Sequence, residues 1–341
     1  MDLLPNEEQE HIIDAITSFL EKESPAQRLI DKKADEPLTS RAMWQQYGDL
    51  GWIGMGISEH DGGVGFTLVE ELLMFREVGR YLLSPSILST VLAARLAISA
   101  GKTEIARDLL SGKSVACWAT PSIDAQVGDN VNGVFQLFEG AEADYAFVLS
   151  DNKATLLNIA DFSDTQPIAC MDETIMLSKV KARKIRPAIV SREQYTPLSR
   201  EATLMIAAIL SGMASAACND GVEYAKLREQ FGKPIGTFQA IKHMCSDMAV
   251  RAEAAIAQST YAVISAQSGH DDAAFQIASA GVLASEAAHK NSAENLQIHG
   301  GIGYTAEHTP HLYVKRAHVM DHIAGGQRLR LRQALEASVP T

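Results

Sequence analysis

The chain has 341 residues, of which 46% are hydrophobic and 21% are charged, and its formal net charge at pH 7 is -12. Single hydrophobic cores rarely grow beyond roughly 250 to 300 residues, so a chain of this length is expected to form more than one packed unit. The excess of acidic residues argues against a nucleic-acid-binding protein, because such proteins present a basic face to the phosphates.

The four cysteines, Cys117, Cys170, Cys218 and Cys245, lie far apart in the sequence. Zinc and redox motifs place cysteines at short, regular spacings, which this chain lacks. We therefore expect buried free thiols and no metal site.

The segment that follows Met1 does not resemble an export signal, because it is acidic and then amphipathic. No stretch comes near the roughly 20 apolar residues that are needed to cross a bilayer. These features predict a cytoplasmic protein that does not enter a membrane.

Residues 1–113 are predicted to form an N-terminal helical domain. Asn6 and Gln9 have the spacing of a capping box, and apolar residues then recur at helical intervals. A glycine-rich loop is predicted at residues 59–66. Three further helices are predicted, over residues 40–50, 68–79 and 84–100.

Residues 114–190 are predicted to form a small middle β domain. Short β-favouring runs alternate there with Asp, Asn and Gly. The clearest runs are residues 115–118, 134–138, 145–149 and 155–159.

Residues 191–341 are predicted to form a C-terminal four-helix bundle. Small residues in this region, such as Gly212, would let helix backbones come close. The predicted fold class is therefore α+β and mostly α. Long alanine-rich helical runs cover residues 202–228, 238–268 and 271–299.

Two segments of the C-terminal region are more informative than its periodicity. Residues 228–239 read Arg-Glu-Gln-Phe-Gly-Lys-Pro-Ile-Gly-Thr-Phe-Gln, and residues 297–304 read Gln-Ile-His-Gly-Gly-Ile-Gly-Tyr. Together they resemble the acyl-CoA dehydrogenase family, and the similarity runs over nearly the whole chain. The loop at residues 59–66, which Trp44 and Trp52 precede, resembles the N-terminal helical domain of that family.

The resemblance implies a site for FAD. In the family an arginine, a phenylalanine and a glutamine of the first segment grip an FAD that the neighbouring subunit mainly holds, and the second segment forms another wall at the ADP half. Arginine can donate several hydrogen bonds to diphosphate oxygens, and glycines let backbone amides approach closely. The positions that match these roles are Arg228, Phe231, Gln239, Gln297, Gly300 and Gly301.

Each segment also has an ordinary structural interpretation. Arg228 could interact with the macrodipole at the end of its helix, and Gly300 with Gly301 could form a helix-capping turn. The presence of both segments in this order, together with the N-terminal similarity, favours the cofactor site.

Acyl-CoA dehydrogenases remove a proton beside the thioester carbonyl and pass a hydride from the adjacent carbon to the flavin, which requires a carboxylate base. At the position of the family's usual glutamate this chain has Ala324, which cannot accept a proton. Some members carry the base on the first long helix of the bundle, where a count without gaps from Arg228 gives Ala202. The neighbouring Glu201 is the remaining candidate, although one residue rotates a helix by about 100°. A solvated acid in a first helical turn is the simpler interpretation of Glu201.

The flavin-lining segment of the family's β domain is also incomplete here. Residues 118–122 read Trp-Ala-Thr-Pro-Ser and retain only fragments of it, and residues 122–128 lack its Gly-Ser-Asp portion. The chain would hold a flavin ring poorly in a pocket of its own.

The residues that would reach a neighbour's flavin therefore remain, whereas those that would build this chain's own active site are missing. We hypothesise a supporting subunit of a two-plus-two heterotetramer, as in bacterial relatives that act on steroid side-chain thioesters. The partner, a second acyl-CoA dehydrogenase-like chain, would supply the base and the flavin-ring pocket. Acyl-CoA would be the substrate, and an electron-transferring flavoprotein would receive the electrons.

Two other interpretations stay open from the sequence. The chain could be a self-sufficient homo-oligomer whose base is Glu201 or another acid such as Asp321. It could also be a flavin-free acyl-CoA-binding or scaffold protein that has kept the fold after losing the reaction.

Overall fold

The computed structural model describes residues 3–32, 36–323 and 325–337, and these residues divide into two compact units. The first unit is formed by described residues within Met1–Asp31, Leu72–Leu82 and Thr203–Thr341. The second is formed by those within Lys32–Glu71 and Leu83–Ala202. The two units alternate along the chain.

The second unit contains three helices and the larger sheet. Ser40 caps the first of these helices, because its side chain accepts a hydrogen bond from the amide of Met43 at 3.2 Å. Arg95 is the one charged residue of the longest helix, whose other residues are apolar or small and mostly buried. The helices are α2 (Arg41–Asp49), α4 (Ser86–Ser99) and α5 (Thr103–Leu110).

The sheet has seven strands, and only the β1 and β3 pair is parallel. Across the sheet the strands follow the order β5-β6-β2-β1-β3-β4-β7. One face buries an apolar cluster that includes Phe135 and Val148. The strands are β1 (Ala116–Pro121), β2 (Val131–Phe138), β3 (Tyr145–Ser150), β4 (Lys153–Asn158), β5 (Ser163–Ile168), β6 (Leu177–Ile185) and β7 (Ile189–Ser191).

Two buried hydroxyl groups join α4 to the start of β1. Ser89 Oγ donates to the carbonyl of Ala116 at 2.7 Å, and the amide of Ala116 donates to Thr90 Oγ1 at 3.1 Å. These bonds satisfy backbone groups that a strand terminus would otherwise leave unpaired.

The first unit is entirely helical apart from one short hairpin. Asn6 and Gln9 form the predicted capping box at the start of the first helix, with both reciprocal hydrogen bonds present. The helices that contribute to this unit are α1 (Glu7–Glu23), α3 (Leu68–Arg80), α6 (Tyr195–Leu227), α7 (Gln239–Gln267), α8 (Ala273–His299), α9 (Pro310–His322) and α10 (Gly326–Glu336). The prediction of a mostly helical α+β protein is confirmed.

Within this unit α3 and α6 cross backbone against backbone. A Cβ atom at Gly79 would lie 1.9 Å from the carbonyl oxygen of Ile209, and one at Gly212 would lie 1.9 Å from that of Arg76. Neither glycine could be replaced without moving a helix, which confirms the expected role of Gly212.

The expectation that no segment has the length and apolar composition to cross a membrane was wrong. Among the described residues one helix, α6, passes that test. Because 83% of its apolar window is buried in the protein, this helix has the character of a core element.

The four cysteines are free thiols, but they are not equally buried. Cys117 and Cys218 are buried, whereas Cys170 and Cys245 are only partly so, which corrects the prediction for the second pair. Burial raises the pKa of Cys218 and of Cys245, so neither has the character of a reactive thiolate. Among the described side chains, no group of three or more His, Cys, Asp or Glu residues could hold a metal ion.

Candidate functional site

The segment that follows α6 is a tight hairpin formed by β8 (Glu229–Gln230) and β9 (Lys233–Pro234). Phe231 and Gly232 occupy its tip with φ angles of 55° and 78°, as in two-residue hairpin turns with left-handed backbone. A left-handed backbone conformation is uncommon for phenylalanine, so the geometry of the hairpin turn holds Phe231 in a conformation that this residue seldom adopts. The hairpin reverses the chain between α6 and α7.

Arg228 lies at the base of this hairpin with its backbone held on both sides. Its amide donates to the carbonyl of Tyr224 at 2.8 Å, and its own carbonyl accepts from the amide of Ile235 at 2.7 Å. The side chain is exposed, and its guanidinium makes no hydrogen bond or ion pair with any described residue. Five N–H donors on a fixed backbone are thus available to an acceptor outside the chain.

An aromatic pair and an open helix terminus lie beside Arg228. Phe231 is 92% exposed and meets Phe238 edge to face at a centroid distance of 6.1 Å. No side chain caps the following helix, which begins at the exposed Gln239, so the first amides of α7 are open to an external acceptor.

The second predicted segment forms the end of α8. Gln297 is exposed, and Gly300 caps the helix with φ 64° and ψ -142°, a conformation that strongly favours glycine. Among the described residues nothing lies within 4 Å of a Cβ built on Gly300 or on Gly301. The backbone of this turn is therefore open to close approach from outside.

One apolar cluster links the two segments within the first unit. It includes Ala225 on α6, Ile235 after the hairpin, Met248 on α7 and Ile298 on α8. The helices α6, α7 and α8, which carry or flank the six predicted cofactor-binding residues, therefore pack around one cluster.

Glu201, the candidate base, has a charged partner. Arg95 donates to its carboxylate at 2.6 Å and, through its other terminal nitrogen, to Glu71 at 2.6 Å. Burial alone would lower the pKa of Arg95, but the charges of Glu71 and Glu201 outweigh it and raise the pKa. Glu201 is therefore one end of a bridge that runs through Arg95 to Glu71, so its carboxylate is engaged within the chain. Ala202, the position where some family members carry the base, is fully buried.

Glu71 is the buried end of that bridge. Its side chain is 1% exposed, and its Oε1 atom has no hydrogen-bond partner among the described residues. Burial raises the pKa of Glu71 despite the opposing charge of Arg95. One signal of this bridge is visible in the sequence, since Arg95 is the lone charge on the apolar helix α4 and Glu71 directly precedes the apolar run 72–75 of α3.

Asp321, the other acid considered as a base, is held by three side chains. It accepts hydrogen bonds from the buried Arg330 and, at 2.9 Å, from Ser285, while His289 lies 3.6 Å away. Burial alone would raise the pKa of Asp321, but the interactions with His289 and Arg330 hold it well below its usual range. Such a carboxylate is a weak proton acceptor.

Two further positions at which the sequence differs from the family pattern are Ala324 and the flavin-lining segment at residues 118–122. Ala324, at the position of the family's usual glutamate, lies outside the described residues. Trp118, in the fragmentary flavin-lining segment, belongs to β1, where it is buried and packs edge to face against Phe147.

Comparison with known proteins agrees with this architecture. The model of the acyl-CoA dehydrogenase N-terminal domain matches residues 6–112, and that of the C-terminal domain matches residues 198–338. The acyl-CoA dehydrogenase IpdE2 of Mycobacterium tuberculosis is 30% identical over 340 residues, which cover 99% of each chain. The chain belongs to the acyl-CoA dehydrogenase family of oxidoreductases, which confirms the resemblance found in the sequence.

Two further comparisons concern the length of a relative and the fold of a solved structure. Acyl-CoA dehydrogenase FadE34 of the same organism is 32% identical over 83% of this chain, which spans only 40% of the length of FadE34. A chain of the ChsE4-ChsE5 complex from Mycobacterium tuberculosis superimposes with a TM-score of 0.85 at 24% identity, covering 99% of this chain and 100% of that one. The second likeness shows a shared fold.

Proposed function

We propose that this chain is the supporting subunit of an FAD-dependent acyl-CoA dehydrogenase and assembles with an unlike chain of the same family into a heterotetramer. The observation that carries the proposal is that the cofactor-binding arginine is available to a ligand, whereas the candidate base is not. The guanidinium of Arg228 is free and exposed, whereas the acid nearest to a family base position, Glu201, is bound by Arg95.

The groups at the exposed end of the first unit fit the ADP half of FAD. Arg228 offers charge-assisted hydrogen bonds to diphosphate oxygens, and the open first turn of α7 adds amide donors and a favourable dipole. The turn at Gly300 and Gly301 lets backbone approach the ligand, and Phe231 offers a face to an aromatic base. When FAD is bound, its flavin accepts the hydride that leaves the acyl group.

The remaining side chains of this site would orient the ligand. Gln239 and Gln297 are exposed amides that can donate to and accept from the ribose or the diphosphate. This chain would therefore bind and orient the cofactor, while the partner removes the proton from the acyl group.

A partner chain is needed because the acids considered as bases in this chain are engaged elsewhere. Glu201 is bridged to Arg95 and Asp321 to Arg330. The ChsE4-ChsE5 complex is named after two different chains, and one chain of that complex shares the fold described here. This precedent supports pairing with an unlike chain over self-association.

The proposed substrate is an acyl-CoA thioester from lipid or steroid breakdown, and the proposed electron acceptor is an electron-transferring flavoprotein. Reduction of that protein, measured with the purified assembly and acyl-CoA thioesters of increasing bulk, tests both. If the assembly turns over with a dye acceptor but does not reduce an electron-transferring flavoprotein, the proposed acceptor is wrong and the proposed substrate stands.

The central experiment records visible absorbance of the purified chain, alone and after co-expression with a second acyl-CoA dehydrogenase-like chain. We expect a colourless or weakly yellow protein alone and a yellow, active complex with the partner. A yellow protein that turns over alone would overturn the supporting role in favour of a homo-oligomer. A complex that remains colourless and inactive would favour a flavin-free scaffold.

A further inference from the structure

A stack of two aromatic rings connects the two segments of the proposed FAD site. Tyr224 on α6 and His299 on α8 face each other with ring centroids 4.0 Å apart and an interplanar angle of 23°. Tyr224 provides the carbonyl that binds the amide of Arg228, at 2.8 Å, and His299 directly precedes Gly300. The stack therefore joins the residues from which both turns extend.

The orientation of His299 is fixed by its neighbours. Its Nδ1 atom lies 2.9 Å from the carbonyl oxygen of Asn295. A carbonyl oxygen only accepts, so Nδ1 carries the proton and donates. The opposite ring nitrogen lies 4.0 Å from Asp220 Oδ1, and Asn295 Nδ2 donates to the other oxygen of Asp220 at 3.0 Å. The histidine side chain is only 4% exposed, whereas that of Asp220 is 35% exposed, so the imidazole ring is enclosed by protein and the carboxylate reaches the surface.

The backbone around the stack is also closely packed. A Cβ atom on Gly221 would lie 3.2 Å from Asn295 Oδ1 and 3.2 Å from Ile298, so α6 and α8 pack closely here. A Cβ on Gly303 would lie 2.9 Å from the Cβ of His299, so the turn after α8 folds back over this histidine. A displacement of this end of α8 would therefore move the turn that follows it.

We propose that Tyr224 and His299 are positioning residues that hold the Arg228 turn and the Gly300–Gly301 turn at one fixed separation. The inference rests on the proposed function, because the ligand whose two contacts would be kept in register is the ADP half of FAD. Apolar packing could hold the helices together, as Ile298 already does. A parallel ring stack with a hydrogen-bonded edge also fixes the rotation of one helix end against the other.

The first test uses this chain alone and measures amide hydrogen exchange in Tyr224→Ala, with Ile298→Ala as a control that removes neighbouring apolar packing. We expect exchange to accelerate in both turns, residues 228–235 and 300–303, in Tyr224→Ala, whereas Tyr224→Phe retains the stack and resembles the wild type. Acceleration confined to the α6 side in Tyr224→Ala would overturn the proposal. So would equal acceleration of both turns by Ile298→Ala at the same loss of thermal stability.

The second test measures FAD dissociation from the co-expressed complex. Tyr224→Ala and His299→Ala should each weaken FAD retention about tenfold, the upper range for one aromatic pair. Combining Tyr224→Ala with Arg228→Ala should add little to Arg228→Ala alone, because a fixed separation of the two turns matters only while both turns contact the ligand. Additive losses, which a general loss of stability would produce, would contradict the proposal.

The two tests separate this inference from the function on which it rests. If Arg228→Ala leaves FAD retention unchanged, the proposed function fails, whatever the exchange experiment shows. If Arg228→Ala releases FAD while Tyr224→Ala and His299→Ala do not, the function stands and the positioning role is refuted.

Discussion

Two charged regions of this protein use their arginines in opposite ways. Arg228 has its backbone fixed and its guanidinium free, whereas Arg95 is enclosed by two carboxylates at 2.6 Å and is largely buried. A buried arginine that already has its partners contributes to folding, because unpaired charges in a protein interior are very costly. An exposed arginine without a partner adds little to stability and is available for a ligand. The comparison separates the site of recognition from a structural charge cluster.

The largest effect is expected when the buried arginine is removed. Arg95→Ala leaves Glu71 and Glu201 close together without their shared cation, and we expect the free energy of unfolding at neutral pH to fall by about 3 to 5 kcal/mol. Urea denaturation followed by circular dichroism measures this. Arg332→Ala is the matched control, because Arg332 is exposed on α10 with an ion pair to Glu336. A change below about 1 kcal/mol, the range of surface pairs, would contradict a structural role for Arg95.

Removal of the free arginine should act on the ligand and not on the fold. Arg228→Ala is expected to weaken FAD retention in the complex by about 10- to 100-fold, which corresponds to loss of a charge-assisted hydrogen bond. Thermal unfolding of the chain alone should stay unchanged. Arg228→Lys keeps the charge but not the fork of donors, so its FAD retention should lie between that of the wild type and that of Arg228→Ala. Equal retention in Arg228→Ala and the wild type would remove the basis of the proposed site.

A pH experiment sharpens the account of the buried cluster. Burial raises the pKa of Glu71 above its ordinary value of 4.5, despite the charge of Arg95. Above that pH the folded chain keeps a proton that the unfolded chain has lost, so this residue makes the free energy of unfolding decrease as pH rises towards the raised pKa. Glu71→Gln removes the titration, so its stability relative to the wild type should increase with pH over that window. Glu104→Gln, at an exposed glutamate of α5, should show no such trend.

If the wild type instead gains stability relative to Glu71→Gln as pH rises, the pKa of Glu71 is lowered on folding and not raised. This result would show that Glu71 is better stabilised as a carboxylate in the folded chain than in the unfolded one, and hence that the pairing with Arg95 outweighs burial.

The smallest effect is expected at the candidate base itself. Glu201→Gln should leave the turnover of the complex within about twofold, because the carboxylate is bound by Arg95 and a general base contributes about 100-fold or more. Steady-state rates with saturating acyl-CoA measure this. A loss of several orders of magnitude would identify Glu201 as the base and this chain as catalytic.

Some features of the fold could be predicted because their signals are local. The capping box at Asn6 and the long helices of the C-terminal region follow from short patterns of side-chain chemistry and spacing. The alanine-rich period predicts a helix from residue 202, whereas α6 begins seven residues earlier, at Tyr195. Pro197 is tolerated there, since the first turn of a helix needs no amide donor from it. Strand β5 gave no clear signal, because it is an edge strand with mostly exposed side chains.

The candidate site divides along the same line. Arg228 and the Gly300–Gly301 turn were recognised from two contiguous segments, but their common packing around one apolar cluster depends on contacts between distant residues. The bridge from Glu71 through Arg95 to Glu201 joins α3, α4 and α6, and no short motif encodes it. Tyr224 and His299 are 75 positions apart, and their stacking depends on how α6 packs against α8, which no local pattern encodes.

The alternation of the two compact units also orders events during synthesis. Residues of α1 belong to a unit whose largest part begins at Thr203, but its contact with α3, a hydrogen bond from Thr17 Oγ1 to Glu77 at 3.2 Å, joins residues that are synthesised early. The other unit is encoded up to Ala202 and can form while the ribosome is still at work. A nascent chain stalled after residue 202 would therefore hold α1 and α3 without the largest part of their unit, which begins at Thr203.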